Sequence, residues 1–479
     1  MSNGRSVNIR KAFTSSLVGR ITSAAFGFIG LAIFARLFPV GDIGIVYAVM
    51  AGSLAVTAIS NGVFAAVRKR ISEVKTHNGE YVAIGILFHL VSSVILLVPF
   101  VSAASLGLFK LPTQLYMYGY LLAVTVGFFN AATEAYSGAG NPDKAVWLDT
   151  LRTMVGLAFQ LILVAAGLGV VAIIAGQVVS ATAVTIVTLF VYRPDLRLPT
   201  RLSIQSIGDF AAWEATSRII REINGRATVA IVGGLLGSVA AGQYKAIRSV
   251  SVLLGMYAAS IREPLSLRVS AEDSVGEIAV EDVRFALAAI GIFPIPAFFG
   301  ALAIGDILVV TAFGSKYTGN GLLLSIFLLG MVAQSADQIF QSLLYGFDAP
   351  SLNTKTEAVF TTVLLLSAVL AGVEFGIVGF VGGIAMASWL GLAVRVVAVR
   401  SVESSVVAFP RSVLAEVAAG SVMCAVVWWV KKQIAASPGI ETVALVALGC
   451  VIYVVVLPSL SERIRALVRR TRKEIGRRG

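Results

Sequence analysis

Apolar runs long enough to cross a bilayer recur along the whole chain, at about 15–37, 43–66, 81–108, 115–138, 146–167, 170–192, 207–237, 240–262, 284–312, 320–346, 356–374, 376–399, 410–431 and 440–458. A hydrocarbon core takes roughly 20 apolar residues as helix. Backbone immersed in lipid has to satisfy its own hydrogen bonds, which helices do. The pattern therefore predicts an all-α integral membrane protein of about fourteen transmembrane helices. The connections are short, and the longest stretches outside the runs, after span eight and at the C-terminus, hold roughly twenty residues. A soluble domain has no room. The basic start (Arg5, Arg10, Lys11) leads into the first run without a small-residue cleavage site, so it reads as a first membrane helix.

A faint repeat overlies these runs. Gly44-Ile-Val-Tyr47 opens span two and Gly242-Gln-Tyr244 opens span eight. Gly169 with Gly176 separates spans five and six as Gly376 with Gly383 separates spans eleven and twelve. Gly140-Asn-Pro142 follows span four as Gly346-Phe-Asp-Ala-Pro350 follows span ten. Three matches in one order, at shifts of 198, 207 and 206, predict two six-helix lobes in parallel pseudo-two-fold relation. The expected division is an N-lobe at 1–195, a C-lobe at 196–402, two extra C-terminal helices at 403–460, and a basic tail at 461–479.

Composition agrees with the bilayer. The chain is 57% hydrophobic and 13% charged, with a mean hydropathy of +0.88, against about 25% charged in soluble proteins. The net charge of +12 could indicate nucleic acid. Its distribution argues otherwise. With the N-terminus inside, and with the other cations toward span ends counted with the adjoining loop, 27 of the 38 Lys and Arg fall in inner loops and tails, 5 in outer loops, and 6 (Arg20, Arg218, Arg221, Arg226, Lys245 and Arg248) within spans. Three of the inner 27 are assigned to the loop after span twelve. This asymmetry predicts cytoplasmic termini in a cytoplasmic cell membrane, a tail against anionic lipid, and no nucleic-acid partner. Cys424 and Cys450 lack metal or redox spacing, and His89 stands alone in an apolar span. No metal site and no cofactor are expected.

Charge within hydrocarbon costs about 2.5–3.5 kcal/mol per residue, so in-span ionisable groups carry the functional signal. Glu214, Arg218, Arg221, Glu222 and Arg226 fall on one face of span seven. Facing lipid, the five would cost on the order of 13–18 kcal/mol, so the stripe is expected to line an aqueous cavity. Span eight adds Lys245 and Arg248, and span one adds Arg20. The cationic excess suits a phosphate or another anionic group; Arg20 and Lys245 also lie near helix ends, where they can snorkel. Span ten carries Gln334, Asp337, Gln338 and Gln341 on one face, and span four carries Asn130, Thr133, Glu134 and Ser137. Such stripes bind sugar hydroxyls or join helices by hydrogen bonds. Asp337, with neutral neighbours, is the candidate coupling carboxylate, a structural hydrogen-bonded role being the alternative.

Four short motifs then give a resemblance: Ala35-Arg36-Leu37 with Gly44-x-x-Tyr47, Lys69-Arg70-Ile71-Ser72-Glu73, Gly242-x-Tyr244, and Phe313-Gly314-x-x-Tyr317. Together with span count and short loops, the chain resembles the polysaccharide-transporter (Wzx-type) branch of the multidrug/oligosaccharidyl-lipid/polysaccharide (MOP) flippase superfamily over essentially its whole length. The resemblance implies a twelve-helix core of two lobes plus two helices. It implies alternating access that moves an undecaprenyl- or dolichyl-linked oligosaccharide to the outer leaflet, with membrane lipids and glycan-assembly enzymes as partners and no covalent chemistry. By position, Arg20, Arg218, Arg221, Arg226 and Arg248 match the cationic cavity that holds the lipid-linked phosphate. A multidrug or cation antiporter of the same fold is the alternative, though its twelve spans and acidic cavity depart from this pattern. A membrane glycan polymerase or ligase needs a large outer loop with catalytic groups, and the outer loops here are short.

Overall fold

The computed structural model describes residues 9–73, 78–106, 112–208, 225, 228–273, 280–347, 349–404, 406 and 411–460. Among them, the regular structure is helical. The surface is inverted relative to a water-soluble protein. Val94, Ile95 and Val98 of one helix are 63–66% exposed, whereas His89, Arg395 and Glu416 are 0–1% exposed. Only a hydrocarbon surround makes that arrangement favourable. Among the described residues, ten helices are long and apolar enough to span, or eleven if one bent pair is a single span. The chain is a multi-pass membrane protein.

The chain divides into two compact units, Met1–Gly242 and Gln243–Gly479. The expected lobe boundary at 195–196 remains an expectation from the repeat. In the first unit, α1 is Ile9–Leu37, α2 Val40–Ala55, α3 Ala58–Glu73, α4 Asn78–Ser105, α5 Thr113–Gly138, α6 Pro142–Ala165, α7 Ala172–Tyr192 and α8 Thr228–Leu236. Helix α9, Ser238–Ser249, runs across the division. The expected span two is broken: α2 and α3 meet at 49°. The break is held by side chains. Thr57 Oγ1 donates to the Leu54 carbonyl at 2.7 Å, Asn61 Nδ2 donates to Thr57 Oγ1 at 3.3 Å, and Asn130 Nδ2 of α5 donates to Asn61 Oδ1 at 3.0 Å. Carbonyls freed by a kink in lipid need such partners.

Backbones come close where the repeat matched Gly44 with Gly242. A Cβ on Gly44 would stand 1.7 Å from the Ser238 carbonyl oxygen, and one on Gly242 2.2 Å from that of Val40. Small residues at a helix crossing are what packing without a hydrophobic drive requires.

In the second unit, α10 is Ser251–Asp273, α11 Val280–Ile290, α12 Pro294–Phe313, α13 Gly321–Gly346, α14 Pro350–Val402, α15 Arg411–Gln433 and α16 Ile440–Leu460. The 53 residues of α14 form a hairpin. Gly376, at φ 61° and ψ −147°, is non-helical. Pairs on either side are antiparallel neighbours: Gly379 against the Ala371 carbonyl, Gly383 against that of Ser367, Gly391 against Phe360, and Arg395 bonded to Thr356. The expected spans eleven and twelve are thus its two arms. Only glycine adopts that backbone without strain. Gly169, before α7, also has positive φ, at 58°. Seven residues after each turn, Gly176 lies against Gln160 and Gly383 against Ser367, so both glycine pairs combine a positive φ with a close helix contact.

Two further devices shape this unit. Asp306 Oδ1 accepts the Gly321 N–H at 2.9 Å, satisfying an orphan donor at the start of α13. Helix α12 is non-helical at Ile304, and Lys431 Nζ donates to the adjacent Ala303 carbonyl at 3.2 Å. The C-terminal pair α15–α16 packs on α12 through Ala303, Ile304, Ala419, Met423, Val427, Leu445 and Tyr453.

Candidate functional site

Of the expected cationic face, Arg218, Arg221 and Arg226 lie outside the described residues, as does Glu222. Arg20 is exposed on α1, one residue after Gly19, which packs on Val146 and Thr150 of α6. Lys245 and Arg248 are half-buried on α9, one helical turn apart. Immediately before Lys245, Tyr244 helps fix α9: 3% exposed, it packs edge-on against Phe327 of α13 and Phe380 of α14 at 6.2 and 5.9 Å between ring centroids.

The polar stripe of α13 forms one connected layer with α10 and α14. Gln334 donates to Ser388 Oγ at 3.0 Å, and Gln341 accepts from Arg262 Nη1 at 3.2 Å. Gln338 is half-buried on the same face. At the centre is Asp337, ion-paired with Arg395. Arg395 is 1% exposed and also bonds Glu357 Oε2 at 2.7 Å and Thr356 Oγ1 at 3.2 Å. Two carboxylates share one guanidinium, whose planar fork serves both. The other oxygen of Asp337, Oδ1, is buried and has no hydrogen-bond partner among the described residues. Asp337 is therefore not the isolated carboxylate its neutral sequence neighbours suggested. Its partner lies 58 residues on, inside the apolar run at 376–399.

The stripe of α5 splits between two jobs. Asn130 braces the α2–α3 break, the joining role weighed above, whereas Glu134 pairs with Arg68 at 3.0 Å with both partly exposed. His89, alone in sequence, is a hub: Nε2 lies 3.0 Å from the Val124 carbonyl and must carry a hydrogen to bond it, while Nδ1 is 3.4 Å from Ser60 Oγ. It occupies space that a Cβ on Gly127 would enter at 2.0 Å. Arg152 was also unforeseen; it bonds Asp149 at 2.9 Å and Gln177 at 3.0 Å and stacks over Phe129.

The first unit also holds a cavity of about 530 Å³ lined mainly by apolar side chains of α2, α4, α5 and α8, among them Val49, Val56, Phe100 and Ala230. Ser53 and Tyr116 on its wall have hydroxyls with no partner among the described residues. The volume is within the range of ligand pockets, about 300–1,000 Å³. Among the described residues, no cluster of three or more His, Cys, Asp or Glu could hold a metal ion.

Comparison with known proteins places this arrangement. No curated protein sequence matches the chain. Among solved structures, the chain is similar to the lipid II flippase MurJ in an inward closed conformation, with a TM-score of 0.72, 11% identity, and 94% of this chain and 99% of that one covered. It is similar to an inward-facing multidrug resistance MATE family transporter of the MOP superfamily, with a TM-score of 0.65, 13% identity, and 81% and 98% covered. A MOP superfamily transporter from Pyrococcus furiosus gives a TM-score of 0.56 at 14% identity, with 82% and 96% covered. Identities this low carry the fold and nothing further. A family model described as a polysaccharide biosynthesis protein matches residues 33–320, more than half of the chain. The chain belongs to that family of polysaccharide biosynthesis proteins and has the fold of the MOP superfamily flippases.

Proposed function

We propose that this chain is a flippase that moves a polyprenyl-(pyro)phosphate-linked oligosaccharide from the cytoplasmic to the outer leaflet by alternating access, with both termini cytoplasmic. The family match to polysaccharide biosynthesis carries the reading. The physical features divide the substrate into three parts. The cations Arg20, Lys245 and Arg248, with Arg218, Arg221 and Arg226 beyond the described residues, suit the phosphate. The half-buried amides of α13 suit sugar hydroxyls. The apolar cavity suits hydrocarbon. No step makes or breaks a covalent bond, so the work is binding and release on opposite sides of the membrane. Asp337, tied to Arg395 and carrying an unmatched oxygen, is the coupling carboxylate of this scheme.

A cation antiporter of the same fold is disfavoured by the in-span cations, which repel cationic drugs. Cells depleted of the protein and carrying Arg248→Ala should accumulate lipid-linked glycan, and Arg248→Lys should recover part of the export, since the charge stays and the bidentate fork is lost. Full export from Arg248→Ala, and equally from Arg218→Ala and Arg221→Ala, would remove the phosphate-binding role.

A further inference from the structure

The C-terminal helix pair contains a carboxyl group that the transport scheme above does not use. Glu416, on the second turn of α15, is 0% exposed, and neither carboxyl oxygen has a hydrogen-bond partner among the described residues. The space it occupies is made by Gly291, between α11 and α12, where a Cβ would stand 2.0 Å from Glu416 Oε2. The groups that face it are these. From α10 comes Tyr257, whose hydroxyl is committed to the Ala289 carbonyl; from α16 comes Tyr453, 4% exposed, with an unpartnered hydroxyl. Both rings lie within electrostatic reach of the carboxyl group. From the α11–α12 turn comes Gly291, and from the first turn of α12 comes Ile295 beside it, both apolar. On α15 itself, Arg411 stands five residues before Glu416 in sequence, and Lys431, four turns along, is bonded to Ala303.

An ionised carboxylate in this position would have no hydrogen-bond donor among the described residues, and burying an isolated charge costs several kcal/mol. A carboxylic acid costs far less, since it carries no net charge. A group kept only for packing would not be acidic, because a leucine fills similar volume without the penalty. We propose that Glu416 is a proton-binding site: it holds a proton while α15 and α16 pack on α12, and gives it up to water as that pair loosens. The step is a simple dissociation, the O–H bond breaking to leave a carboxylate that water can then solvate. Joined to the flippase reading, on which this extension rests, it names the proton as the coupling ion.

Dicyclohexylcarbodiimide tests the site without any knowledge of the glycan. It reacts with a protonated carboxyl group in apolar surroundings, the O–H adding across one N=C bond to give an acylisourea that rearranges to a stable acylurea. The full-length protein in lipid vesicles is treated with the reagent across a range of pH, and the peptides are weighed. The expected result is an adduct at Glu416 that falls about tenfold per pH unit once the group begins to ionise, as the protonated fraction does. It should be absent from Glu416→Gln, which keeps the shape and neutrality of the acid and should melt within a few degrees of the parent. If that variant does not fold, labelling of the parent protein alone still decides. No adduct at any pH, or an adduct indifferent to pH, overturns the proposal. Labelling with no flippase activity leaves the proton site standing and removes the flippase reading instead.

Discussion

Arg395 is the residue whose loss should cost the second unit most. Its guanidinium is 1% exposed and answers Asp337, Glu357 and Thr356 together, joining α13 to both arms of the α14 hairpin. Replacing it with Gln keeps a polar side chain of moderate length but leaves two carboxylates, 21% and 22% exposed, without their shared cation. Breaking a buried pair in this way costs about 3–5 kcal/mol. Partial exposure of the acids moves the figure toward the lower end, and the loss of two pairs at once moves it up, so about 3 kcal/mol is expected. The measurement is reversible unfolding in mixed micelles, with the folded fraction followed against added denaturing detergent. The decisive arm is the triple replacement Arg395→Gln, Asp337→Asn, Glu357→Gln. Removing all three charges should restore most of the lost stability, since neutral amides can bond one another. An Arg395→Gln protein that unfolds like the parent, or a triple variant no better than the single one, would refute the ion-pair reasoning.

Three other outcomes follow from the geometry. Gly376→Ala should destabilise the hairpin by about 1–3 kcal/mol in the same unfolding assay, because φ 61° with ψ −147° is open to glycine alone. Asn130→Ala should cost about 0.6–1.7 kcal/mol, and the double change with Asn61→Ala should cost less than the sum of the two single ones, since either change ends their shared bond while Asn61→Ala also ends the bond to Thr57. Cysteines placed at Ser2 and Gly479 should resist an impermeant thiol reagent in intact cells, following the bias of basic residues; labelling of either would overturn the orientation.

Much of the fold was readable from local signals. Spans one, three to six, ten, thirteen and fourteen correspond to helices whose ends lie within a few residues of the apolar runs, because hydropathy is a property of the segment itself. Gly169 and Gly376 were legible as punctuation, and both prove to be positive-φ turns. What local pattern could not show was pairing across distance. Arg395 sits near the end of its run with no local pattern to mark it, yet it turns inward to Asp337 and Glu357. Glu416 lies six residues into α15 and drew no attention as a sequence position, yet it is enclosed by Gly291 and the two tyrosines. His89 was unreadable for the same reason, since Val124 and Ser60 come from other helices. The one available hint was chemical: a charge or an imidazole inside an apolar run has to have a partner somewhere.

The most direct measurement is leaflet-resolved translocation. The purified protein is placed in vesicles carrying a polyprenyl-diphosphate-linked oligosaccharide in the inner leaflet, and the appearance of glycan outside is followed with an impermeant lectin. A flippase makes the lectin-accessible fraction rise with time in protein-containing vesicles and not in empty ones, with Arg248→Ala slowing the rise. A protein that leaves the glycan inside while extruding a cationic dye would contradict the flippase reading and return the chain to the antiporter side of its fold.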